Sequence, residues 1–104
     1  MIVENNKDSS LNNIITDEKL EKYFMITAKA LEMCRAALNQ QNLESAKDFL
    51  DMASRYYSDA IYFLEKKDYV LAFAALNYAH GWLDAGARAG FFDVDHDSTL
   101  FTVD

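Results

Sequence analysis

Residues 75–90 leave this chain few folding options. The run Ala75-Leu76-Asn77-Tyr78-Ala79-His80-Gly81-Trp82-Leu83-Asp84-Ala85-Gly86-Ala87-Arg88-Ala89-Gly90 holds all three glycines, the only tryptophan and one of two histidines in a nearly unbroken apolar wall. Gly81 and Gly86 fall where a helix should run, and each costs about 1 kcal/mol against alanine there. A helix keeps such residues where another backbone comes close or where something binds. Asn77, His80, Gly81, Asp84 and Arg88 share one stripe, and the rest of 69–89 is apolar or aromatic. A helix apolar around so much of its girth is expected to be central, covered on several sides. Ala72, Ala75, Ala79 and Gly86 line the face away from the polar stripe, with Trp82 beside them. Close packing is therefore expected at Gly81, Gly86 and Trp82, and Gly90 is a natural stop at the C′ position.

The remaining elements follow from apolar spacing. Leu20, Tyr23, Phe24, Thr27, Leu31, Cys34, Ala37 and Leu38 alternate by three and four, which predicts a helix over about 17–39 with Thr16 or Asp17 as its N-cap. Asn39-Gln40-Gln41-Asn42 ends it, and Asn42 is expected to cap the next helix. That helix, about 43–66, is amphipathic, with Leu43, Ala46, Phe49, Leu50, Ala53, Tyr56, Tyr57, Ala60, Phe63 and Leu64 on one side. Asp68 then caps a third helix, about 69–89, and so short a link makes an antiparallel hairpin. Residues 1–15 read as a polar lead-in, and 16–104 as one domain. The tail, 91–104, is too apolar for a solvated end, so Phe91, Phe92, Leu100, Phe101 and Val103 are expected to pack on the bundle or on a second copy. The expected fold is all-α: an antiparallel up-down three-helix bundle with a central third helix and a docked irregular tail.

Composition narrows the function classes. Half the residues are hydrophobic, none of the 104 is proline, and the formal charge is −7. That charge opposes nucleic acid, whose phosphates need clustered Lys and Arg. No apolar run is long enough to cross a bilayer. The single cysteine, Cys34, sits on an apolar stripe and suits a reducing cytoplasm as a buried small hydrophobe.

The block Asn77-Tyr78-Ala79-His80-Gly81-Trp82-Leu83-Asp84-Ala85-Gly86-Ala87-Arg88 is long and unusual. Together with Tyr56-Tyr57-Ser58-Asp59-Ala60, Asp68-Tyr69-Val70 and Phe92-Asp93-Val94, it resembles a small archaeal family, number 357 among the domains of unknown function. The likeness runs over about residues 20–103. It implies a compact helical bundle and an archaeal source, and it brings no assigned activity and no catalytic residues.

Three constellations are candidates for chemistry. Asn77, His80, Asp84 and Arg88 stand in a row at spacings of three and four, and Arg55 on the second helix could face them. This row is either a polar pocket, with His80 as proton acceptor and Arg88 as anion clamp, or a network fixing helix register. No nucleophile with an orienting partner accompanies it. Asp93, Asp95 and Asp97 have the spacing of a calcium loop, but Ser98 stands at the glycine turn and no exiting helix follows. They are weak metal candidates at most. His80, His96 and Cys34 are too scattered for zinc, and the Glu-x-x-His pair of di-iron bundles is missing. The tyrosines are expected at helix interfaces rather than stacked on bases. No cofactor is expected. The leading expectation is a non-enzymatic interaction or scaffolding module with a protein partner or self-association. The alternative is a small-molecule or enzymatic site on the polar row.

Overall fold

In a computed structural model, which describes residues 14–94, the chain forms three α-helices. These are α1 (Asp17–Arg35), α2 (Leu43–Glu65) and α3 (Tyr69–Arg88), with one 3-10 turn, Gln40–Asn42, before α2. No β-strand occurs among the described residues. The lead-in through residue 13 and the tail from residue 95 lie outside them, so the expected docking of Leu100, Phe101 and Val103 does too.

Local chemistry sets each helix end. Thr16 opens α1, its side-chain oxygen accepting from the Lys19 amide at 3.0 Å. Asp68 opens α3 in the same way, accepting from the Leu71 amide at 3.2 Å. Asn42, expected to cap α2, makes no side-chain cap bond. Asn39 acts instead: its side-chain oxygen takes the Gln41 amide at 3.0 Å and the Asn42 side-chain amide at 3.2 Å. The connection thus winds through a 3-10 turn before α2 begins.

Both later helices end in a Schellman motif. In α2 the amides of Asp68 and Lys67 reach the carbonyls of Phe63 and Leu64, and Lys67 adopts φ 62°. In α3 the amides of Phe91 and Gly90 reach the carbonyls of Gly86 and Ala87, and Gly90 sits at φ 82°. Gly90 is thus the expected C′ stop, whereas Lys67 holds a left-handed conformation without being glycine.

Helix α1 stops at Arg35, short of the expected residue 39, because the backbone beyond it bonds elsewhere. The Asn39 amide donates to the Phe91 carbonyl at 2.9 Å, and the Asp93 amide to the Ala37 carbonyl at 2.7 Å. Leu38 and Phe92 form an isolated antiparallel bridge at that point. Phe91 packs edge-on against Phe49 with ring centroids 4.9 Å apart, and Phe92 is buried.

Two apolar clusters fill the interior. One, at the end closed by Phe92, gathers Ala30, Leu31, Cys34, Ala46, Ala53, Leu83 and Phe92. The other gathers Leu20, Ala60, Ala72, Ala75 and Leu76 at the opposite end, and the Tyr57 side chain packs against both. Alanine dominates where α2 meets α3: Ala46, Ala53, Ala60, Ala72, Ala75 and Ala79 are all buried. Their small side chains let the two backbones approach closely.

Helix α3 is not covered around most of its girth. Its buried residues are Ala72, Ala75, Leu76, Ala79, Leu83 and Gly86, and its far side carries exposed Val70, Leu71 and Tyr78. Among the described residues two neighbours shield only one side of α3, and its apolar outer side is left exposed.

Candidate functional site

The row of polar residues on α3 divides along its length. Asn77, Gly81 and Arg88 are exposed, whereas His80 and Asp84 lie half-buried on the flank nearer α1. His80 Nε2 stands 3.6 Å from Asp84 Oδ1, and both side chains are about one-fifth exposed at 21% and 22%. Arg55 does not turn toward this row. Its Nε donates to Asp51 Oδ2 at 2.8 Å on the same helix, in solvent. An exposed pair of this kind holds the guanidinium on α2 with little energetic consequence.

Across from Asp84, on α1, is Cys34, fully buried. Burial first, and then the nearby Asp84 carboxylate, push its thiol up from 9.0 to about 12. At neutral pH the sulfur is protonated and packed among Leu31, Leu83 and Ala30. A nucleophilic cysteine needs the reverse environment.

A Cβ on Gly86 would overlap the Phe92 ring, coming within 2.8 Å of Cδ2 and closer still to Cε2. The close approach expected at Gly86 is thus made by a side chain from the segment after α3, not by a helix backbone. Gly81 is exposed, and among the described residues no atom lies within 4 Å of where its Cβ would sit. The packing expected there is not found. Trp82 is half-buried and meets Phe49 edge-on at 4.9 Å.

Gly81 belongs to a different arrangement. Phe49, Asn77, Tyr78, Gly81, Trp82 and Ala85 line a shallow groove of about 350 Å³ on the outer side of α3. Ala74, Asn77 and Tyr78 line a second hollow of about 300 Å³ that shares two of its walls. Tyr78 is 62% exposed, yet its ring is held by stacking on Tyr56 at 5.2 Å and 21°. None of the residues lining either hollow carries a charge. Sequence reasoning missed Ala74, Tyr78 and Ala85 as site residues. The available signal was the four-three-four spacing of Ala74, Tyr78, Gly81 and Ala85, a second stripe beside the one that faces the core.

The metal candidates reach the structure only through Asp93, whose carboxylate accepts from the Asn39 side chain at 2.9 Å. Asp95 and Asp97 lie outside the described residues. No group of three or more potential metal ligands occurs among those described. No described helix is long and apolar enough to cross a membrane.

A family model described as "Protein of unknown function (DUF357)" matches residues 22–92. The chain belongs to the DUF357 family. The match covers all of α2 and α3 and closes on Phe92, the residue seated on Gly86. No curated protein and no solved structure matches the chain. Membership of DUF357 brings no activity with it.

Proposed function

We propose that this DUF357 chain is a non-enzymatic protein-interaction module that docks a partner helix on the outer side of α3. One observation carries the reading: the uncharged groove around exposed Gly81, walled by Tyr78 and Trp82. Exposed apolar area of this kind on a small domain is characteristic of contact surfaces. Tyrosine and tryptophan supply large contacts at low entropic cost, and stacking on Tyr56 and Phe49 already orders both rings. A protonated, buried Cys34 opposes use of that thiol as a nucleophile.

The bundle reading has similar support. Tyr56 meets Tyr78 and Phe49 meets Trp82, so α2 and α3 run in opposite senses. Tyr23 meets Phe73 while Cys34 feels Asp84, so α1 and α3 run in the same sense. We take the arrangement as up-down-up, with the segment after Gly90 docked through Phe92. A free buried thiol supports a reducing, cytoplasmic setting, and the −7 charge favours a protein over a nucleic-acid partner.

The test places a photo-crosslinking residue at the groove. With p-benzoylphenylalanine in place of Tyr78, in cells that naturally make the protein, irradiation is expected to give one discrete adduct. Gly81→Arg should abolish it, and the same probe at exposed Glu32 on α1 should not give it. An adduct pattern equal to that of the Glu32 control would end the reading.

A further inference from the structure

We propose that the groove's occupant is a second copy of this chain, with two α3 helices paired antiparallel about a two-fold axis between Tyr78 and Gly81. The inference rests on the docking surface argued above and adds the identity of what fills it.

Self-complementarity is the first argument. Ala74, Tyr78, Gly81 and Ala85 are spaced four, three and four, so the pattern reads the same from either end. Turned antiparallel, each Tyr78 falls on the other copy's Gly81, and each Ala74 on the other copy's Ala85. The largest exposed side chain on the groove thus meets the one position with no side chain. Gly81 has open space above it among the described residues, and Tyr78 is 62% exposed with its ring already held by Tyr56. A two-fold interface needs one patch that fits itself, and this stripe has that property. Small residues at the remaining layers allow the short interaxial distance at which a tyrosine can fill a glycine hole.

Charge is the second argument. The chain carries −7 and repels itself over an average surface. Within α3 the only Asp, Glu, Lys or Arg residues are Asp84 and Arg88, and Asp84 lies on the flank nearer α1. The antiparallel register sets Arg88, in the last turn, opposite the other copy's Leu71, about one turn from that copy's Asp68 at the start of α3. It also sets the positive end of one helix dipole beside the negative end of the other. A parallel pairing would align like dipole ends and put Tyr78 against Tyr78.

The contact area sets the scale. A 20-residue helix is about 30 Å long, and one helix face with its aromatic rim buries less than the roughly 800 Å² per partner of a standard interface. The dimer is therefore a reversible one.

Sedimentation velocity on the purified full chain, at concentrations up to about 500 µM to reach interfaces below standard size, is expected to approach twice the 11.9 kDa of one chain. Gly81→Arg should weaken dimerisation at least about 100-fold, nearly 3 kcal/mol, with an unchanged helical circular dichroism spectrum. Orientation is read by disulfide trapping. Ala74→Cys and Ala85→Cys proteins, oxidised as a mixture, should give the mixed covalent dimer, and each alone should give at least about tenfold less; the native Cys34 is buried and does not interfere. Ala74→Cys dimers formed alone would overturn the antiparallel register. A monomer at every concentration would overturn self-pairing. The Tyr78 crosslink to a different protein would then still stand for the docking surface itself, so the two failures are distinguishable.

Discussion

Two glycines five residues apart on α3 sit in opposite environments, and they should respond oppositely to one methyl group. At Gly86 the added Cβ runs into the Phe92 ring, which the Leu38 bridge holds in place. Overpacking a filled core costs about 1–3 kcal/mol, against a helix-propensity gain of about 1 kcal/mol. Gly86→Ala is therefore expected to lower the unfolding free energy by up to about 2 kcal/mol by these two terms. Gly81→Ala meets nothing and should raise it by about 1 kcal/mol. Urea denaturation of the two variants at low protein concentration checks both signs. From sequence both positions break the same propensity rule and both are expected to pack closely, although Gly81 shares the polar stripe and Gly86 the face away from it. What separates them is Phe92, which lies beyond the helix and reaches Gly86 only once the chain has turned at Gly90.

Cys34 yields a pH prediction at the same scale. Its thiol is raised from 9.0 to about 12 by burial and by Asp84. A group whose folded pKa is raised contributes its full stabilisation below the unfolded value and loses it as pH climbs toward the folded value. Stability should thus be insensitive to Cys34 below pH 9 and fall between pH 9 and pH 12. The fall should be smaller in Cys34→Ala when the two proteins' unfolding free energies are compared across that range. The native thiol should also resist a disulfide reagent at pH 8 that reacts at once in denaturant. Here the sequence was informative: apolar neighbours at helical spacing placed this sulfur inside.

Among the elements, the turns carry the most testable chemistry. Lys67 occupies φ 62°, where a side chain costs about 1 kcal/mol and glycine costs little. Lys67→Gly should accordingly stabilise the protein by roughly 0.5–1 kcal/mol despite the added freedom of the unfolded chain. Gly90, in the matching position after α3, should lose a similar amount on change to alanine. Thermal melts of the two variants should move in opposite directions. The short link and the Asp68 cap were readable because they depend only on neighbouring residues. The early end of α1 was not. Residues 37 and 39 bond to 93 and 91, more than fifty positions away, and no local propensity records such a partner. The outer side of α3 was misjudged for a related reason. An all-round apolar pattern says how much surface a helix would hide, but not which side its neighbours in the chain reach.

At the scale of the molecule, the two apolar clusters make the bundle's ends unequal. Phe92 closes one end, buried beside Leu83 and Cys34 and tied to Leu38. The other end is open among the described residues: Leu20, Phe24, Leu64 and Tyr69 border a groove of about 290 Å³, and Leu64 and Tyr69 are both exposed. Removing the plug should therefore do more than subtract one side chain. Phe92→Ala is expected to cost about 3–5 kcal/mol, the range for a large core aromatic, because the ring fills the space directly over Gly86. The loss should also be uneven. Hydrogen exchange should quicken most in the C-terminal halves of α1 and α3 around Cys34 and Leu83, and least around Ala60, Ala72 and Leu76 in the other cluster. Leu20→Ala should reverse the pattern, opening the far end and sparing the plugged one. If both variants instead raised exchange evenly along all three helices, the clusters would be one cooperative core. In that case Tyr57, which touches both, would be the residue that couples them, and Tyr57→Ala would be the substitution that splits the even response into two.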